Sequence, residues 1–130
     1  MTSYRTDRSR AQGLGAAHHG AGTWIKERVS SIILVPLTLW GLWSAAVLAG
    51  SGFRGAVDWM QVPLNAVLLL LTVGVSLYHM QLGMRVIVED YIHRPASKAA
   101  LLIINFSVCL ALGVAAAFSI LKVAFGGFGA

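Results

Sequence analysis

Three long apolar runs set the plan of this chain: Val29–Gly50, Val62–Val88 and Ala96–Phe125. About 20 helical residues cross the roughly 30 Å hydrocarbon core of a bilayer, so each run is long enough to span it with some tilt. The pattern predicts three transmembrane helices over 29–50, 62–88 and 96–125, an all-α membrane protein. The interruptions agree with that division. A glycine-rich SGFRG follows the first run, HRP separates the second from the third, and FGGFGA closes the chain. Pro63 suits the first turn of the second helix, where a missing N–H leaves no bond unmade. Pro36 lies inside the first helix, which tolerates it where neighbours satisfy the freed carbonyl.

Composition strengthens this reading. Of 130 residues, 57% are hydrophobic and 12% charged, against about 25% charged in soluble domains. A chain this short cannot bury three such helices in a water-soluble core. The net charge of +5 does not point to nucleic acid, because the basic residues flank the spans and carry orientation information instead. Arg5, Arg8, Arg10, Lys26, Arg28, Arg85, Arg94 and Lys98 fall on one side, and Arg54 and Lys122 on the other. The positive-inside rule then predicts that the N-terminus and second connection face the cytoplasm or its mitochondrial equivalent, and a bacterial cytoplasmic membrane is expected over the mitochondrial inner membrane. Residues 1–22 read as a flexible cytoplasmic tail and 23–130 as the membrane domain. The first run is too long for the core of a secretory signal, and Asp7 and the tail's brevity argue against a mitochondrial presequence. With Cys109 as the one cysteine, an intrachain disulfide and a thiolate metal site are both excluded. Cys109 reads as a small buried hydrophobe.

The chemistry is concentrated in the second run and its exit, SLYHMQLGMRVIVEDYIHRP. His79 lies about 15 Å along the helix from the polar end, inside the hydrocarbon region. An ionisable side chain at that depth needs a partner or a function. Two roles suit it: axial ligand of a haem iron, or a hydrogen bond that ties two helices together. Only one histidine lies at depth in this span, so a bis-imidazole iron needs its second ligand from another chain. Gly83, one turn on, removes side-chain bulk on the same face, as a flat macrocycle requires. Asp90 and Tyr91 also admit two readings. They are an interfacial polar exit, or a hydroxyl that donates to the carbonyl of a lipid-soluble ligand beside a carboxylate that orients it or relays protons.

The stretch His79-x3-Gly83-Met84-x5-Asp90-Tyr91, with Trp24 and Arg28-Val29-Ser30-Ser31 at the entry to the first run, resembles the small membrane-anchor subunits of succinate dehydrogenase, respiratory complex II. The resemblance implies an anchor that packs with a partner three-helix subunit. It further implies that His79 is an axial ligand of haem b, shared with the larger cytochrome b anchor subunit, and that Gly83 gives the macrocycle room. Tyr91 would bond the ubiquinone headgroup, Asp90 would support that site, and Arg28 would pair with a haem propionate. Arg85 departs from the pattern, standing where relatives can carry an aromatic. His18 and His19 have no counterpart. Iron–sulfur and flavoprotein subunits are the implied partners, and succinate chemistry is expected on them, since this chain has no flavin or cysteine-cluster motif. The alternatives are the anchor of a quinol:fumarate reductase and a cofactor-free three-span scaffold.

Overall fold

A computed structural model describes residues 20–126, together with Thr6 and Arg8. Among the described residues the helices that follow one another are α1 over Gly20–Leu48, α2 over Gly52–Gln61, α3 over Pro63–Tyr91 and α4 over Pro95–Ala124. Three of them, α1, α3 and α4, are long and apolar enough to cross a membrane. The expected tail falls mostly outside the described residues, and α1 runs from Gly20. This helix starts nine residues before the apolar run. The charged Lys26-Glu27-Arg28 turn hid the start from a reading based on hydropathy, yet polar residues do not break a helix. The other two spans agree with expectation to within a few residues, and Pro63 and Pro95 stand at the first helical positions of α3 and α4.

The glycine-rich break after the first span is itself a helix. Gly52 takes a φ of 64°, a left-handed conformation that side chains disfavour. A Cβ on Gly55 would lie 2.5 Å from the Ser51 Cβ. These two glycines let α2 begin immediately after α1 ends. Trp59 of α2 then stacks on Trp40 of α1, with ring centroids 5.6 Å apart, and Asn65 donates to the Trp59 carbonyl across the turn into α3 at 2.9 Å.

The spans form an open layer with α3 in the middle. α1 and α4 each pack on α3 and make no contact with each other among the described residues. On α1 the buried line is Ser30, Leu37 and Ser44, at seven-residue intervals. Small polar residues alternating with leucine let two backbones approach closely. On the α4 side, Gly113 faces Leu77, and Asn105 donates across to the Gln81 carbonyl at 3.0 Å. Cys109, next to this contact, is buried. No span has more than 11% of its most apolar window buried within the chain, so almost all of this surface must be covered from outside. In lipid, hydroxyls within spans need a local acceptor. Thr72 and Ser119 return theirs to the carbonyls of Leu68 and Ala115, one turn back.

The two kinds of polar bond predict different stabilities. Asn105→Ala should lower the unfolding free energy of the solubilised protein by about 0.5–2 kcal/mol. Ser119→Ala, which loses only a bond within its own helix, should have little effect. Denaturant titration in mixed micelles measures both.

Candidate functional site

His79 meets α1 at the seam between the first two spans. Its Nδ1 lies 2.9 Å from the Ser30 hydroxyl oxygen. Ser30 is almost fully buried, at 3% exposure, and its hydroxyl is also 2.9 Å from the Glu27 carbonyl one turn earlier. Ser31 reaches the same carbonyl at 2.8 Å. The first span therefore turns Ser30 toward α3 and the histidine, while Ser31 bonds within α1. Serine suits this position because its short side chain fits a close helix contact and still offers a donor and two acceptor lone pairs.

The other ring nitrogen, Nε2, has no hydrogen-bond partner among the described residues. No unsatisfied nitrogen or oxygen is sealed inside the protein there either, so Nε2 is not closed off by this chain. The two roles expected of His79 thus fall on different atoms. Nδ1 makes the helix-to-helix bond, and Nε2 remains available to a metal. Gly83 follows on the same face, and a Cβ placed there meets nothing within 4 Å. Packing within this chain does not require that glycine; it leaves open space beside the imidazole. Among the described residues no three His, Cys, Asp or Glu side chains gather as an ion site, so any metal must bring further ligands with it.

The hollows of the layer do not enclose this histidine. A groove of about 680 Å³ between α3 and α4 is lined by Gly74, Leu77, Tyr78, Gln81, Phe106 and Gly113 among others. A smaller cleft of about 240 Å³ lies beside Ser30, between α1 and α3, below the usual size of a small-molecule site. His79 lines neither. A large ligand on Nε2 would therefore lie outside these hollows.

Arg28 stacks over the Trp24 ring, 5.4 Å from its centroid, a cation–π contact. It lies about 200° around α1 from Ser30, so the structure does not bring Arg28 and His79 together. Arg85 pairs with Glu89 on its own helix at 2.7 Å, an exposed i,i+4 bond of about 0.3–0.5 kcal/mol. This fixes the direction of Arg85 more than it stabilises the fold.

At the exit of α3 the chain is pinned by three bonds to carbonyls that a helix end leaves without intrahelical partners. The backbone N–H of Ile92 donates to Val88 at 3.1 Å, Lys98 Nζ donates to Glu89 at 2.8 Å, and His93 Nδ1 donates to Tyr91 at 3.2 Å. The lysine also puts a positive charge at the negative end of the helix dipole. Tyr91 stands on this braced end with its side chain 76% exposed. Its hydroxyl and the Asp90 carboxylate make no hydrogen bond or ion pair among the described residues, so both are open to a ligand. Along the helix, Asp90 returns to within about 20° of the His79 line, whereas Tyr91 is rotated from it by about 120°. Sequence reasoning singled out His79, Gly83, Asp90 and Tyr91 but missed the bond from Ser30. The hydroxyl pair in Arg28-Val29-Ser30-Ser31 was the available signal.

Residues 2–114 match the family described as "Succinate dehydrogenase/Fumarate reductase transmembrane subunit". Curated relatives called "Succinate dehydrogenase hydrophobic membrane anchor subunit" include one from Rickettsia conorii, 34% identical over 86% of this chain and 90% of its own. Another, from Rickettsia bellii, is 36% identical over 68% of this chain and 71% of its own. A third, from Paracoccus denitrificans, is 32% identical over 88% and 86%. No solved structure matches the chain.

Proposed function

The chain belongs to the succinate dehydrogenase/fumarate reductase transmembrane subunit family, and on that premise we propose that it is the small anchor of a succinate dehydrogenase that holds haem b through His79 and presents Tyr91 to ubiquinone. The observation that carries the haem reading is the division of labour on His79: Nδ1 is tied to Ser30, and Nε2 is open beside the space at Gly83. An axial imidazole needs both an accessible nitrogen and a hydrogen bond at its other nitrogen that orients the ring. Bound haem supplies one-electron redox chemistry at this depth. The second axial ligand comes from another chain, since His79 is the one histidine within the described spans.

Reduction of a quinone to quinol takes up two electrons and two protons, which favours a site at the membrane boundary. Tyr91 has the attributes such a site needs: a braced backbone, an exposed ring and an uncommitted hydroxyl donor. Asp90, equally uncommitted, stands next to it to orient the phenol or pass protons from the aqueous side. The electrons originate from succinate on flavin- and iron–sulfur-bearing partner subunits. The names of the relatives favour this direction over fumarate reduction. The skew of basic residues supports an N-terminus and α3–α4 connection on the cytoplasmic side, with Tyr91 there too, and the relatives are bacterial.

A second reading has one observation behind it. The Ser30–His79 bond by itself suffices to tie α1 to α3, as in a cofactor-free anchor.

Optical spectroscopy separates the two. The purified complex should show a low-spin haem b spectrum that His79→Ala abolishes or alters; an intact complex without haem leaves His79 as a helix tie alone. Tyr91→Phe should lower quinone reduction about 2- to 10-fold, the worth of one hydrogen bond of about 0.5–1.5 kcal/mol. Succinate oxidation by an artificial acceptor should persist in that variant, and equal loss of both activities would remove Tyr91 from the quinone site. A C-terminal alkaline phosphatase fusion should be active and a C-terminal green fluorescent protein fusion dark; the reverse result would invert the orientation.

A further inference from the structure

The bond between Ser30 and His79 decides which nitrogen of the imidazole carries the proton. The Ser30 oxygen is 2.9 Å from the Glu27 carbonyl oxygen and 2.9 Å from His79 Nδ1, and a hydroxyl has one proton to give. A carbonyl only accepts, so the contact with Glu27 takes that proton. The contact with Nδ1 is then an Nδ1–H donating to the Ser30 oxygen. In a neutral imidazole this leaves the lone pair on Nε2. The opposite allotment, with Ser30 donating to Nδ1, would set two acceptor oxygens 2.9 Å apart at Glu27 and place a proton on Nε2. Ser30 is 3% exposed, so water scarcely competes for either bond.

We infer that Ser30 is a positioning residue that holds His79 in the tautomer whose Nε2 binds metal, through the chain Nδ1–H to Ser30 to the Glu27 carbonyl. The inference rests on the haem reading above and deepens it. Ser30 does not touch the iron; it acts through the ring. An acceptor on Nδ1–H makes an imidazole a more basic ligand and fixes its orientation, and such outer partners typically contribute 10- to 100-fold in metal affinity. A more basic ligand favours ferric over ferrous iron, so loss of the acceptor raises the midpoint potential. The backbone carbonyl at the end of the relay matters as well. It keeps the serine proton turned away from the histidine, as a free hydroxyl would not.

The test uses the whole complex and reads haem affinity, midpoint potential and the low-spin spectrum rather than turnover. Ser30→Ala should weaken haem retention by about 10- to 100-fold and raise the potential, and Ser30→Thr should restore both. Ser31→Ala, which loses a bond to the same Glu27 carbonyl but none to the histidine, should change neither. Wild-type affinity and potential in Ser30→Ala overturn the inference while leaving the haem reading standing, provided His79→Ala loses its haem. Unaltered haem ligation in His79→Ala overturns the haem reading itself, and the inference with it. Should Ser30→Ala fail to assemble, the wild-type protein still decides the question. Nitrogen-15 and proton spectra of the reduced complex, with the His79 signal identified by subtraction of His79→Ala, should show an Nδ1–H shifted downfield by its hydrogen bond to Ser30. An Nδ1–H at the shift of an imidazole without an acceptor overturns the inference.

Discussion

Inside a bilayer a helix gains nothing by turning apolar side chains toward another helix, because the lipid tails are equally apolar. The architecture of this chain follows from that constraint. Its spans are joined by close approach and a few polar bonds: the Ser30–Leu37–Ser44 line and the His79 bond on one seam, Gly113 and the Asn105–Gln81 bond on the other. None of these needs a closed core. The result is a layer one helix thick, with α3 in contact on two edges and open on two faces. A water-soluble protein could not survive with so little of each span buried. In lipid the same exposure is the expected state.

Much of this was legible in the sequence. Spans show themselves by length, and the prolines at residues 63 and 95 mark two helix starts, because both signals depend on local chemistry alone. Where the reading fell short, the determining physics was not local. Hydropathy placed the start of the first span at Val29, since Lys26, Glu27 and Arg28 interrupt the apolar run, but backbone bonds carry the helix through them from Gly20. The short helix after it was read as a break because of its glycines. Gly52 and Gly55 are there to let the helix form directly against Ser51. Its Trp59 gave a signal only once Trp40 was known to lie opposite.

The functional residues divide in the same way. His79, Gly83, Asp90 and Tyr91 share one helix, so their depth and spacing are calculable from the rise per residue, about 18 Å from His79 to Tyr91. Their facing is a separate quantity. Asp90 lies below His79 on nearly the same line, and Tyr91 is a third of a turn away. The carboxylate is therefore the group aligned with the proposed haem face, and the phenol belongs to a neighbouring sector of the same helix end. Residues on different helices were beyond such arithmetic. Arg28 and Ser30 are two positions apart in sequence and on opposite sides of α1, and nothing short of the helix pairing reveals which side meets His79.

The open layer also explains why one histidine suffices for two tasks. A closed bundle would surround the imidazole with its own chain and satisfy both nitrogens internally. Here α1 covers one edge of α3 and reaches only Nδ1. Among the described residues no further helix covers Nε2, which lies beside a glycine that the packing there does not need. Helix pairing and ligand binding therefore share a residue without competing for an atom. The seam that holds α1 to α3 is the same bond that sets the proton on Nδ1, so the first two spans must be docked before the metal-binding tautomer is favoured. On the proposed function, this makes the order of events a consequence of geometry. The anchor's own helices would pair first, the imidazole would take its orientation from that pairing, and His79 would then hold a shared haem against the neighbouring chain.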